Sequence, residues 1–260
     1  MKVAVSILLL FLLPAGMFSD GKTQVSNGEN TRYQNGENLK YLIHFGFLKG
    51  GIASVVLEKE IYEGQNVYHS RMMAKTTGIV DVLYKVLDIY ECYFSIENGL
   101  PIKSLRNISE GRYKYYNEID FNREDNIVES KKSGPHEVPD NILDMVSTFY
   151  LIRRLDYDTL KVGDVIKVNT FFDDEIFPFD IRFRGTETIR TKLGKFDCYK
   201  FVPFVEPGRI FESEDDMTIW VSRDSNSVPI RIKFDLIVGS VKCDLIEYSG
   251  LTSKLIGAKK

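Results

Sequence analysis

Short runs in which every second side chain is apolar set the strongest limit on how this chain can fold. From Lys40 to Leu48, Tyr41, Ile43, Phe45 and Phe47 alternate with Leu42, His44 and Gly46. A period of two sends neighbouring side chains to opposite faces, so this is a strand with a buried face. The same rhythm returns at Ile52 to Ile61, Val67 to Lys75, Tyr90 to Ile96, Leu100 to Ile108, Tyr113 to Phe121 and Ile127 to Lys131. It resumes at Val165 to Phe172, Phe177 to Ile189, Phe196 to Phe204, Met217 to Val221, Val228 to Ile237 and Ser240 to Tyr248. Gly50-Gly51, Asn98-Gly99, Glu110-Gly111, Pro207-Gly208 and Gly239 punctuate these runs. Turns this tight reverse the chain, so neighbouring strands pair antiparallel. The expected fold is mainly β: one curved antiparallel sheet or half-barrel, or two β sheets, carrying two amphipathic helices.

Both helices stand out by period. Ile79, Val80, Leu83, Tyr84 and Leu87 recur at helical spacing behind Thr76 or Thr77, with Asp81 in the first turn. The stronger case is Asp140 to Arg154, where Ile142, Leu143, Val146, Phe149 and Tyr150 form an apolar face. Asp140 is the expected cap, and Asp144, Arg153 and Arg154 oppose the end charges of the helix dipole. Lys131 to Pro139, with Ser133, Gly134 and Pro135, reads as a loop.

The first residues read as a targeting segment. Lys2 precedes an apolar run from Val3 to Leu13, then Pro14, Ala15 and Gly16. That is the layout of a secretory signal peptide, and the run is shorter than the roughly 20 apolar residues that span a bilayer. The expected layout is a signal peptide at 1–19, a flexible segment at 20–35, one β-rich domain at 36–250 with a subdivision near 131–160 as the alternative, and a tail at 251–260. No later stretch predicts a transmembrane span. The chain carries 34 basic and 37 acidic side chains, a net charge of −3, and losing Lys2 with the signal leaves −4. A weakly acidic protein is not drawn to phosphate backbones, so nucleic acid is not an expected partner.

Catalytic signatures are missing from the sequence. It has no phosphate-cradling glycine loop, no dinucleotide fingerprint, no zinc-spaced histidine pair and no G-x-S-x-G elbow. His44, His69 and His136 lie apart, so no metal or cofactor is expected. The acidic runs Asp173 to Glu175 and Glu212 to Asp216 read as solvated turns; a paired-carboxylate hydrolase of envelope sugar or peptide is the minority reading. Cys92, Cys198 and Cys243 are expected as small buried apolar groups, and if any two join, the pair is Cys198 with Cys243.

Aromatic residues crowd the middle of the chain. Most must fill the core, but alternation on a curved sheet leaves some to line a groove. Phe149, Tyr150 and Trp220 are the candidates for such a ligand surface.

Several segments together resemble a known family. They are Gly36-Glu37-Asn38-Leu39-Lys40-Tyr41, Gly50-Gly51-Ile52-Ala53, Asp88 ahead of Asn98-Gly99-Leu100-Pro101, Leu193-Gly194-Lys195-Phe196, Ile219-Trp220-Val221-Ser222-Arg223-Asp224, and Val228-Pro229-Ile230. Their order and spacing are similar to the exported bacterial family labelled domain of unknown function 3108, over about Gly36 to Tyr248. The resemblance implies a β-rich fold and a periplasmic or outer-envelope location in a Gram-negative bacterium, and supplies no catalytic residue. A more distant likeness, in architecture only, is to periplasmic lipoprotein carriers, whose curved sheet is lidded by helices over an apolar groove. The expectation is therefore a noncatalytic exported protein that binds or carries an apolar or amphiphilic small ligand. The alternatives are an assembly partner of other envelope proteins and the carboxylate hydrolase; oligomeric state is left open.

Overall fold

A computed structural model describes residues 32–205 and 211–257. The expected signal segment at 1–19 and the Pro207-Gly208 turn lie outside the described residues. One curved antiparallel sheet of 14 strands dominates. The first half of the chain builds a meander: β1 (Glu37–Phe45), β2 (Leu48–Tyr62), β3 (Gln65–Thr76), β4 (Val86–Ser95), β5 (Pro101–Glu110), β6 (Tyr113–Asn122), β7 (Ile127–Ser130) and β8 (Gly134–Glu137). The second half supplies β9 (Val165–Ile166), β10 (Asn169–Phe172), β11 (Glu175–Pro178), β12 (Ile181–Thr191), β13 (Gly194–Pro203), β14 (Met217–Ser222), β15 (Pro229–Asp235) and β16 (Ser240–Ser249). Two helices, α1 (Gly78–Leu83) and α2 (Met145–Arg154), complete the described chain.

The sheet order runs β8-β7-β6-β5-β4-β3-β2-β1-β16-β15-β14-β13-β12-β9. The two meanders thus join along their first and last strands, with Tyr41 opposite Leu245 and Phe45 opposite Val241. Strands β8 and β9 are the free edges, so the sheet curls without closing. The hairpin β10-β11 leaves the sheet and sits with α2 inside the curve, tied to the approach to α2 by a bridge between Leu143 and Thr170.

Several expectations are corrected. Lys131 to Pro139 holds edge strand β8. Val165 to Phe172 and Phe177 to Ile189 each divide, giving β9 with β10 and β11 with β12. Pro178 has no N–H to continue a ladder, and the chain breaks there. Within residues 32–35, which the sequence places in a flexible segment, Tyr33 is buried against the rings of Tyr68, Phe94 and Tyr150. At the other end Leu255 is buried, and Asn226 donates to the Ser253 carbonyl.

Helix α2 starts later than the pattern implied. Asp144, not Asp140, is the cap: its carboxylate accepts from the Ser147 N–H at 2.8 Å, while the Ser147 hydroxyl receives the Asp144 N–H. This reciprocal pairing satisfies two end groups, whereas Asp140 instead accepts from Asn126. At its far end Arg153, fully buried, makes a two-pronged ion pair with Glu37 at the start of β1. The same guanidinium donates to the carbonyls of Arg32 and Asn226, so one side chain locks α2 to three separate segments.

Candidate functional site

Helix α2 turns two faces to different neighbours. Val146, Tyr150 and Arg153 pack toward β1, β3 and β4, where the Tyr150 hydroxyl meets Ser70 at 3.1 Å. Met145, Thr148, Phe149 and Ile152, spaced i, i+3, i+4, i+7, face the other way and roof a pocket of about 160 Å3. Sheet alternation supplies its floor: Tyr41, Ala53, Val55 and Met72 come from β1 to β3, and Cys243, Ile232 and Ile219 from β16 to β14. The hairpin closes the wall with Phe172 and Phe177.

Among the described residues lining this pocket there is no carboxylate, imidazole, ammonium or guanidinium. The polar lining is limited to hydroxyls and a thiol. The Tyr41 hydroxyl already donates to the Pro229 carbonyl at 3.0 Å, and burial pushes the Cys243 thiol up to about 12, so it stays protonated and a poor nucleophile. The surface offers van der Waals contact to an uncharged apolar group. An engineered apolar cavity of roughly 150 Å3 in another protein takes up benzene, so the space matches an aromatic ring or the end of an acyl chain. Met72, Met145 and Met217 add unbranched, polarizable walls that adjust to shape.

The hairpin that completes the wall is pinned by its turn. Asp173 and Asp174 both have positive φ, 55° and 65°, as a two-residue reversal demands. Asp173 accepts from Arg106 at 2.7 Å, and Asp174 from the Ser130 hydroxyl and the Asn117 amide at 2.6 and 3.2 Å. The acidic run therefore anchors the hairpin to β5, β6 and β7. Its sequence signal was two Asp residues, which tolerate left-handed backbone, between aromatic runs.

A second polar group lies on the same concave face. Asp88 of β4 accepts from the Ser109 N–H and is hydrogen-bonded to Glu110 of β5; burial, reinforced by that neighbouring carboxyl, raises Asp88 to about 7. Glycosidase carboxyls stand at least about 5 Å apart, whereas the Asp88 carboxyl lies within side-chain hydrogen-bonding reach of Glu110. Arg106 lies beside them, over the rings of Tyr115 and Phe172. At Glu212 to Asp216, Asp216 accepts from two backbone N–H groups of its own loop and Asp215 takes Arg182 and Arg184.

Of the three sequence candidates, Phe149 lines the pocket. Tyr150, one residue on, points the other way into the core. Trp220 lies on the opposite sheet face from Ile219, where it donates to Glu187 at 3.2 Å. The Cys198–Cys243 bridge is absent, and all three cysteines are free and buried. Cys198 shares the Trp220 face of β13 while Cys243 lines the pocket, and three strand spacings, roughly 14 Å, separate them; a disulfide needs Cα atoms within about 7 Å. His44 meets Asp244, His69 lies between Glu60 and Glu91, and His136 meets Ser133. No cluster able to hold a metal ion occurs among the described residues.

The class that this geometry defines is an open, curled antiparallel sheet wrapped around one helix and a hairpin, with an uncharged pocket between them. The chain belongs to the family described as "Protein of unknown function (DUF3108)", whose profile matches residues 40–246. No curated protein matches it. Among solved structures it is similar to a β-barrel-like protein of the domain of unknown function DUF1849 from Brucella abortus, at 9% identity and a TM-score of 0.54, over 84% of this chain and 98% of that one. A DUF1089 family protein from Pseudomonas aeruginosa is more distant, at 8% identity and a TM-score of 0.41, over 68% and 87%. The first likeness extends to the fold and no further.

Proposed function

We propose that the protein is a noncatalytic binder that takes the hydrocarbon part of an apolar or amphiphilic molecule into the pocket under α2. The observation that carries this reading is a cavity of about 160 Å3 whose described lining holds no ionisable group besides one tyrosine hydroxyl and one thiol. Filling it gains roughly 25 cal/mol for each Å2 of apolar surface removed from water. We propose further that the protein is exported to the envelope of a Gram-negative bacterium and loses residues 1–19; the short positive start and the apolar run at Val3 to Leu13 support this.

Titration with a naphthylamine or fatty-acid fluorophore tests the first part. Enhancement should saturate, a medium-chain fatty acid should compete, and Met145→Trp, which fills the pocket, should weaken binding at least tenfold while the thermal transition is retained. Saturable binding that Met145→Trp leaves unchanged, or no binding by folded protein, would overturn the reading. The mass of the protein recovered from its host tests the second: a chain still beginning at Met1 excludes processing.

A further inference from the structure

A group of exposed apolar residues gathers at one end of the sheet. Register places the β1-β2 tip, α1, the β5-β6 tip and the β15-β16 tip together there, since Phe45 pairs with both Leu48 and Val241, Gly51 with Thr76, and Val86 with Glu110. Phe47 is fully exposed, and on α1 Ile79, Val82 and Leu83 are 64%, 84% and 80% exposed; Ile237 and Val238 project from the neighbouring tip. No residue of α1 is buried, so the apolar face that the sequence placed on this helix is turned to solvent. Soluble surfaces seldom keep such groups in one place without a use for them.

Charge says what meets this rim. Lys49, Lys75, Lys85, Arg112 and Lys114 are exposed around α1 and the adjoining tips. The carboxylates of that region are occupied or hidden: Asp81 accepts from the Thr76 hydroxyl, and Asp88 and Glu110 are buried. Toward β15, Asp235 is paired with Lys233. The acidic loop Glu212–Asp216 lies beyond β15, on the β14 side. Protein interfaces are depleted in lysine at their centre, whereas apolar tips ringed by lysine and arginine suit the boundary between headgroups and acyl chains.

We infer that this rim docks the protein on a bilayer surface bearing anionic headgroups, with α1 and the Phe47 tip entering the headgroup layer. The inference goes beyond the pocket reading and stands without it. The protein, purified in the form found in its host, would be floated with phosphatidylglycerol-containing vesicles and with vesicles of phosphatidylcholine alone. Wild type should partition to the anionic vesicles, and 0.5 M salt should reduce this severalfold. The double variant V82D/L83D, at exposed positions, should lose at least tenfold, whereas Ile61→Asp, exposed at the opposite end of the sheet, should match wild type. Equal flotation of V82D/L83D and wild type would overturn the inference, as would no flotation with anionic vesicles. Self-association abolished by V82D/L83D, without vesicle binding, would assign the rim to a second copy and also overturn it. Fluorophore binding by V82D/L83D without vesicles should be unchanged, so failure here is separable from failure of the pocket reading.

Discussion

Arg153 is the side chain on which most segments converge, and its worth follows from the price of burying charge. With Glu37 opposite, two rings over its guanidinium and carbonyls at its edges, the charge is fully compensated. Replacing it with methionine strands the Glu37 carboxylate in the core, at a cost of about 3–5 kcal/mol. Denaturant unfolding should register that loss, and R153M combined with E37Q should recover part of it; a double variant no better than R153M would contradict the account. Asp88 makes the pH prediction. Its carboxyl is raised to about 7 in the fold against 3.8 when unfolded. Between these values the unfolded chain gives up its proton first, so folding weakens as pH climbs through this window, and the loss is complete above about 7. Asp88→Asn should therefore raise the melting temperature more at pH 8 than at pH 4. An equal shift at both pH values would show that the carboxyl is not perturbed by the fold.

Among the elements, the β10-β11 hairpin is the one whose removal from the sheet creates the pocket wall. Besides its own ladder and the bridge to Leu143, it is held at its turn, through Arg106, Asn117 and Ser130. Asp174→Ala leaves buried Asn117 and Ser130 short of an acceptor, which costs about 1–3 kcal/mol. Fluorophore affinity should fall along with the stability, because Phe172 and Phe177 lose their anchor. Undiminished affinity would mean that the hairpin holds its place without the turn. The strand segments themselves were legible from alternation, since a half-buried strand writes its burial into every second residue. The hairpin's departure was not, because Phe171, Phe172, Phe177 and Phe179 are apolar on either side of the ribbon and carry no period. The cap of α2 was misplaced for a related reason: Asp140 and Asp144 both suit a first turn, and only the buried Ser147 partner selects between them.

At the scale of the molecule, the ends of the described chain help to seal the curve. Tyr33 lies ahead of the first strand, yet its ring packs edge-on against Tyr150 at 4.7 Å and reaches Tyr68 and Phe94. A chain beginning at Gly36 should lose about 3–5 kcal/mol, the usual cost of removing a buried aromatic side chain. Calorimetry would show the lowered transition, and an unchanged melting temperature would mean that Tyr33 contributes nothing to the core. Pairing between β1 and β16 joins residues some two hundred positions apart, so formation of the sheet awaits distant contacts.

Local chemistry was enough to specify strands, turns and two helices, because alternation, turn residues and side-chain polarity are properties of near neighbours. Which apolar residues bound an empty space and which fill the core depended on how the sheet curls around α2. Phe149 and Tyr150 are adjacent and chemically alike, yet a rotation of about 100° along the helix sends one to the pocket and the other to Ser70. Trp220 and Ile219 part in the same way across a pleat. Pockets are made by elements remote in the chain, and no nearby residue records where those elements will meet.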